Sequence, residues 1–204
     1  MRKKASSIFI MFLVLLWFMV HEKAFALEKP AEFTGDLVIT MTDAIIKAKL
    51  YVKGPYVHRV EMSAEAGGII FIRPPKARGK IWMLDPVKKQ YRILKWPQIH
   101  KDPVQAWTDI HNDMGGGPQG EEVLNGYRCT VYHFKYPGED KIAFKTWFAE
   151  DLQFAIRQEA DDRISVEMDA NPVVIKGIFE VLNINAQKLD ETLFEVPPDY
   201  KEVK

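Results

Sequence analysis

The sequence predicts a mainly β protein with few helices, built on an antiparallel sheet. Three observations predict it. Apolar and polar residues alternate with a period of two through much of the chain, which marks strands with one buried and one wet face. These runs are short and are separated by Gly, Pro, Asn and Asp turn chemistry at regular spacing, as in a meander. Helical periodicity, by contrast, is scarce.

The chain opens on Arg2, Lys3 and Lys4, then an almost unbroken apolar run from Ile8 to Val20, then Ala24-Phe25-Ala26. A basic start, an apolar centre and a small-x-small site form the pattern of a cleavable signal peptide. The run is shorter than the roughly 20 apolar residues of a spanning helix. Residues 1–26 are therefore expected to be removed on export, with Leu27 the first mature residue, and no Cys follows the run to carry a lipid anchor. Residues 27–204 are expected to form one domain acting outside the cytoplasm. Removal of Arg2, Lys3, Lys4, Lys23 and Glu22 turns a neutral chain slightly acidic, which does not suit nucleic acid.

A short helix is expected near Lys29 to Phe33. Ile46, Ala48, Leu50 and Val52 then alternate with Lys47, Lys49, Tyr51 and Lys53. Lys53-Gly54-Pro55 turns the chain into a second alternating run from Tyr56 to Met62. Ala66-Gly67-Gly68 precedes a strand at Ile69–Ile72. The turn Arg73-Pro74-Pro75-Lys76-Ala77-Arg78-Gly79 leads to Lys80–Leu84, and Asp85-Pro86 leads to Gln90–Leu94. The one substantial helix candidate is Asp102–His111. Asp102 suits the N-cap and Pro103 the first helical position, and Val104, Trp107 and Ile110 make a narrow apolar stripe.

Gly115-Gly116-Gly117-Pro118-Gln119-Gly120 lacks the Lys-Ser/Thr of a phosphate loop and reads as a flexible linker. Strands are expected at Tyr127–Tyr136, Lys141–Phe148, Phe154–Glu159, Ile164–Met168 and Val173–Ile184, with turns at Pro137–Asp140, Asp161-Asp162 and Asn171-Pro172. One amphipathic helix cannot cover both faces of so large a sheet. The sheet must curl, pair with a second sheet, or leave an apolar trough.

No Gly-x-Ser-x-Gly or His-Glu-x-x-His occurs, and His58, His100, His111 and His133 have no zinc spacing, so no catalytic residue, metal or cofactor is assigned. Cys129 is the lone cysteine and lies in a strand-like run. His133, four residues on, is roughly 13 Å away along a straight strand, so Cys129 reads as a small buried hydrophobe. Trp82, Trp107, Trp147, Phe144, Phe148 and Phe154 are more aromatic mass than a wet surface carries. They are either ordinary core or the lining of a concave pocket. Arg73, Lys76, Arg78 and Lys80 form one basic cluster. It is either a solvated hairpin tip or a contact for an anionic headgroup or acidic partner.

Val52-Lys53-Gly54-Pro55, Arg59-Val60-Glu61 and Ile81-Trp82-Met83-Leu84-Asp85-Pro86 together resemble the periplasmic outer-membrane lipoprotein carriers, the LolA/LolB-like superfamily. Val123-Leu124-Asn125-Gly126-Tyr127-Arg128-Cys129-Thr130 and the tail Leu193-Phe194-Glu195-Val196-Pro197 resemble an uncharacterised branch of it. The chain departs from that family in its long Pro-containing turn at 73–80 and in its smaller helical content. The resemblance implies a curved antiparallel sheet forming an open half-barrel, with short helices covering the concave face. It implies a non-enzymatic protein of the periplasm that binds lipid or lipoprotein acyl chains, expected to act as a monomer. Trp82, Leu84, Trp107, Ile110, Phe144, Trp147 and Phe148 are the candidate cavity residues, and Arg73, Lys76, Arg78 and Lys80 the candidate headgroup or partner contacts. The rival function is an envelope-stress sensor or interaction module that binds an envelope membrane protein.

Overall fold

The computed structural model describes residues 31–41, 44–54, 57–75, 80–95, 116–135, 138–168 and 171–203. They form a single sheet of twelve strands. The first six are β1 (Glu32–Met41), β2 (Ala44–Lys53), β3 (His58–Met62), β4 (Ile70–Arg73), β5 (Lys80–Asp85) and β6 (Gln90–Lys95). The rest are β7 (Gly116–Leu124), β8 (Tyr127–Lys135), β9 (Ile142–Ala149), β10 (Phe154–Met168), β11 (Asn171–Ala186) and β12 (Lys201–Glu202). Two antiparallel meanders, β1 to β6 and β7 to β11, meet where β1 pairs with β11, Leu37 opposite Val181. β12 runs parallel to β6. The sheet does not close, since β7 and β12 stand at opposite ends of the order.

Alternation builds the core. Phe33, Leu37 and Ile39 of β1, Leu50 and Val52 of β2, and His58 and Val60 of β3 are all essentially inaccessible. Phe154 and Ile156 of β10 join the same interior, with Cys129 and Val131 of β8. The His58 and Phe154 rings lie 5.4 Å apart, edge to face, and Phe33 meets Phe154 at 5.2 Å. β3 and β10 are four places apart in the sheet. On a flat sheet that would be roughly 19 Å at the usual strand spacing. Ring contact therefore requires the sheet to curl, bringing its two halves together around one apolar interior.

Local turns fit the sequence. Gly54 has φ +80° and Lys53 N–H donates to Val57 C=O at 2.8 Å, closing the β2–β3 hairpin. Asp85 accepts from the Val87 and Lys88 N–H groups at 3.1 and 3.0 Å, turning β5 into β6. Those N–H groups, that of Lys88 foremost, hold the Asp85 carboxyl below its ordinary range.

Three expectations are corrected. Glu32 and Phe33 do not belong to a helix but open β1, because Phe33, Leu37 and Ile39 follow the period of a strand paired on both sides. The glycine-rich run is not a linker: from Gly116 onward it is β7, paired with β8. Asp161 and Asp162 do not turn the chain. The two runs around them form the single strand β10, whose pairing with β11 slips between Ala160 and Ile164. The described residues contain no α-helix, only 3-10 turns at Ala64–Ala66, Glu150–Leu152 and Glu191–Phe194. The helix expected at Asp102–His111 lies outside the described residues.

Candidate functional site

The candidate residues divide among three places. Trp147 joins the main interior, its Nε1 donating to Glu122 at 2.7 Å and its ring facing the Arg157 guanidinium at 5.4 Å. Phe144 and Phe148 belong to a second cluster with Tyr132 and Phe134, on the face of the β8–β9 hairpin opposite Val131 and Trp147. Phe134 and Phe144 stack at 4.4 Å. Trp82 and Leu84 alternate with Ile81 and Met83 on β5 and therefore point to the outer face of the first meander. Arg73 ends β4, and Lys80 begins β5 as an exposed residue. Trp107, Ile110, Lys76 and Arg78 lie outside the described residues.

The outer face around Trp82 is covered by the chain's own C-terminal segment, residues 187–203, which crosses the first meander strand by strand. Leu189 N–H donates to Glu32 of β1 at 2.7 Å. Lys53, ending β2, reaches the Leu189 carbonyl at 3.5 Å and pairs with Glu191 at 3.3 Å. Arg59 of β3 donates to the Leu193 carbonyl at 2.8 Å while holding Glu61 on its own strand at 2.7 Å. Farther on, Lys89 pairs with Asp199 at 2.7 Å, and β12 joins β6. Leu189 and Phe194 are buried against Ile72 and Leu84. Asp190 caps the intervening 3-10 turn, accepting from Thr192 N–H at 2.9 Å, and that bond holds its carboxyl below the ordinary range.

A cavity of about 290 Å³ remains between this strap and the sheet. The sheet side supplies Trp82, Val57 and Lys53, and the turn after β4 supplies Pro74 and Pro75. The strap supplies Phe194, Glu191 and Glu195. The walls are apolar and the rim carries charges of both signs, with Lys53 and Glu191 paired to each other. Nearby, burial, followed by the Glu61 carboxylate, raises the Tyr51 phenol above its usual value. The described thiol is far from reactive: Cys129 is buried on β8 and burial pushes it up to about 11, against the lowered value of an activated nucleophile. This arrangement can hold an apolar group in a fixed place, and its lining includes no activated nucleophile.

The fold has known relatives in structure. The chain is similar to an uncharacterized conserved protein from Thermus thermophilus, with a TM-score of 0.53 at 11% identity, over 95% of this chain and 98% of that one. It is similar to a chain of the Pseudomonas aeruginosa MucA/MucB complex, with a TM-score of 0.55 at 12% identity. That match covers 91% of this chain but 61% of the other. A LolA superfamily protein from Nitrosomonas europaea is also a structural neighbour, at a TM-score of 0.38 and 9% identity over 88% of this chain and 96% of that one. No curated protein matches the sequence. Residues 33–168, from β1 to the end of β10, match a domain of unknown function, and by that match over more than half of its length the chain belongs to the DUF4412 family.

Proposed function

We propose that this is an exported, non-enzymatic binding protein of the periplasm that takes the acyl chain of a lipid or lipoprotein. The observation that carries this reading is the strap-covered cavity, with Trp82, Val57, Phe194 and two prolines around it. An acyl chain placed there gains roughly 0.8 kcal/mol for each CH₂ it buries, with no polar code needed. Arg73 and Lys80 flank the turn that supplies Pro74 and Pro75, where an anionic headgroup would lie beside them. Export rests on the pattern of residues 2–26, and on this reading the protein acts as a monomer without cofactor, metal or nucleic acid. A second reading, capture of an apolar segment of an envelope protein, draws on the fold shared with the MucA/MucB complex.

The test is protein purified natively from the envelope. Mass spectrometry of its organic extract is expected to show stoichiometric lipid, and a fluorescent fatty acyl probe is expected to bind. Trp82→Ala should weaken that probe about tenfold, since the half-buried indole forms a wall of the cavity and its apolar contact with the chain is lost. A clean extract with no probe binding, and recovery of one defined envelope protein instead, would transfer the assignment to the second reading.

A further inference from the structure

We infer that the distal half of the strap, Glu195 to Val203, is a flap hinged beyond Phe194 that opens the cavity while the rest of the molecule stays folded. This concerns the same cavity and rests on its reading as a binding site. The two halves of the strap are held by different chemistry. The proximal half has buried Leu189 and Phe194, a 2.7 Å bond to Glu32 and a 2.8 Å bond from Arg59, whose side chain is only 12% exposed. Charge-assisted bonds in such surroundings are strong.

The distal half has little of this. Val196 and Tyr200 are partly buried, and β12 is two residues long. Its backbone bonds to the sheet are Lys201 N–H to Lys89 C=O at 3.0 Å and Val203 N–H to Tyr91 C=O at 2.9 Å, and within the strap Glu195 N–H donates to Thr192 C=O at 3.2 Å and Tyr200 N–H to Pro197 C=O at 3.1 Å. Its ion pair, Lys89 with Asp199, is exposed on both sides, at 62% and 52%. Exposed pairs contribute little and are screened by salt. Segments with few buried contacts and solvent-exposed hydrogen bonds are those that open below the cost of global unfolding. Glu195, the one residue of this half that lines the cavity, is joined to the proximal turn by its N–H bond to Thr192 C=O at 3.2 Å, so release of the flap frees the chain that follows this wall residue while Phe194 stays in place.

Hydrogen exchange on the wild type tests this without any ligand, because the paired amides of β1–β3 report global unfolding. Under native conditions the amides of Lys201 and Val203 should exchange at least about tenfold faster than those of β1–β3, while the amide of Leu189 in the proximal half exchanges with β1–β3. Lys89→Ala should speed Lys201 and Val203 a further two- to fivefold, about what an exposed ion pair contributes, and leave the β1–β3 rates within experimental error. Exchange of Lys201 and Val203 together with β1–β3, or no response to Lys89→Ala, would overturn the flap. Fast exchange at Lys201 and Val203 alongside absent fatty acyl probe binding would leave the flap standing and remove the acyl-chain reading.

Discussion

At the scale of single residues, Cys129 shows how an environment disarms a reactive group. The strand buries it in the main core, and burial raises its thiol to about 11. The folded state therefore holds the thiol proton more tightly than the unfolded chain, whose thiol has the ordinary value of 9.0. Stability from this group is complete below pH 9, and it is lost as pH rises from there through about 11. A denaturant titration of wild type against Cys129→Ala should show the wild type losing its margin across that window. A constant difference from about pH 7 to 11 would refute the assignment. The lone position of Cys129 and the distance to His133 already pointed to this in the sequence. The settings of Trp147 and Trp82 were not legible, because an aromatic residue in an alternating strand looks the same over a core, a pocket or a salt-bridged rim. Only tertiary pairing shows that Glu122 and Arg157 hold the first and the strap covers the second.

At the scale of elements, β1 was the strand most readily missed. Its inward positions are Phe33, Gly35, Leu37 and Ile39, and the glycine breaks an otherwise plain alternation. The structure explains that glycine. A Cβ there would lie 2.5 Å from Val181 Cγ1 and 3.3 Å from the Leu182 carbonyl, where β11 crowds β1. Gly35→Ala should lower stability by about 1–3 kcal/mol, the range for overpacking a tight site. In a double-mutant cycle, Val181→Ala should recover part of that loss, and fully additive effects would show that the clash is not with Val181. β7 escaped for a related reason: its glycines suggested a linker. The stronger local signal was Asn125-Gly126, where both residues have positive φ, 51° and 83°, as a two-residue hairpin between β7 and β8 demands. The β2–β3 and β5–β6 hairpins, whose turns carry Gly54 and Asp85-Pro86, were legible because each turn separates two clean alternations.

At the scale of the whole molecule, one interior serves both meanders. Phe154 of β10 touches Phe33 of β1 and faces His58 of β3, so neither half completes its core alone. Phe154→Ala should cost about 3–5 kcal/mol, as for other buried Phe truncations. Unfolding should stay a single transition, with fluorescence from Trp82 in one half and Trp147 in the other changing together when each is retained in a variant lacking the other tryptophans. Separate midpoints for the two halves would contradict the shared interior. Predominant β structure could be read from periodicity, and a curved open sheet from the family resemblance, but which strands meet across the interior could not, since ring contact between strands four places apart depends on how tightly the sheet curls.

An unclosed sheet also has two flanks, and a bare strand flank invites another chain to add itself, the usual route to aggregation. Here each flank carries a deterrent. β6 is occupied at Gln90 and Tyr91 by β12, the end of the same chain. β7 carries Pro118, which has no N–H to offer, a slip in pairing between Pro118 and Gly120, and the adjacent exposed acids Glu121 and Glu122. The glycine-rich stretch and the short β12 thus each leave fewer regular backbone groups on a flank for an added strand to pair with.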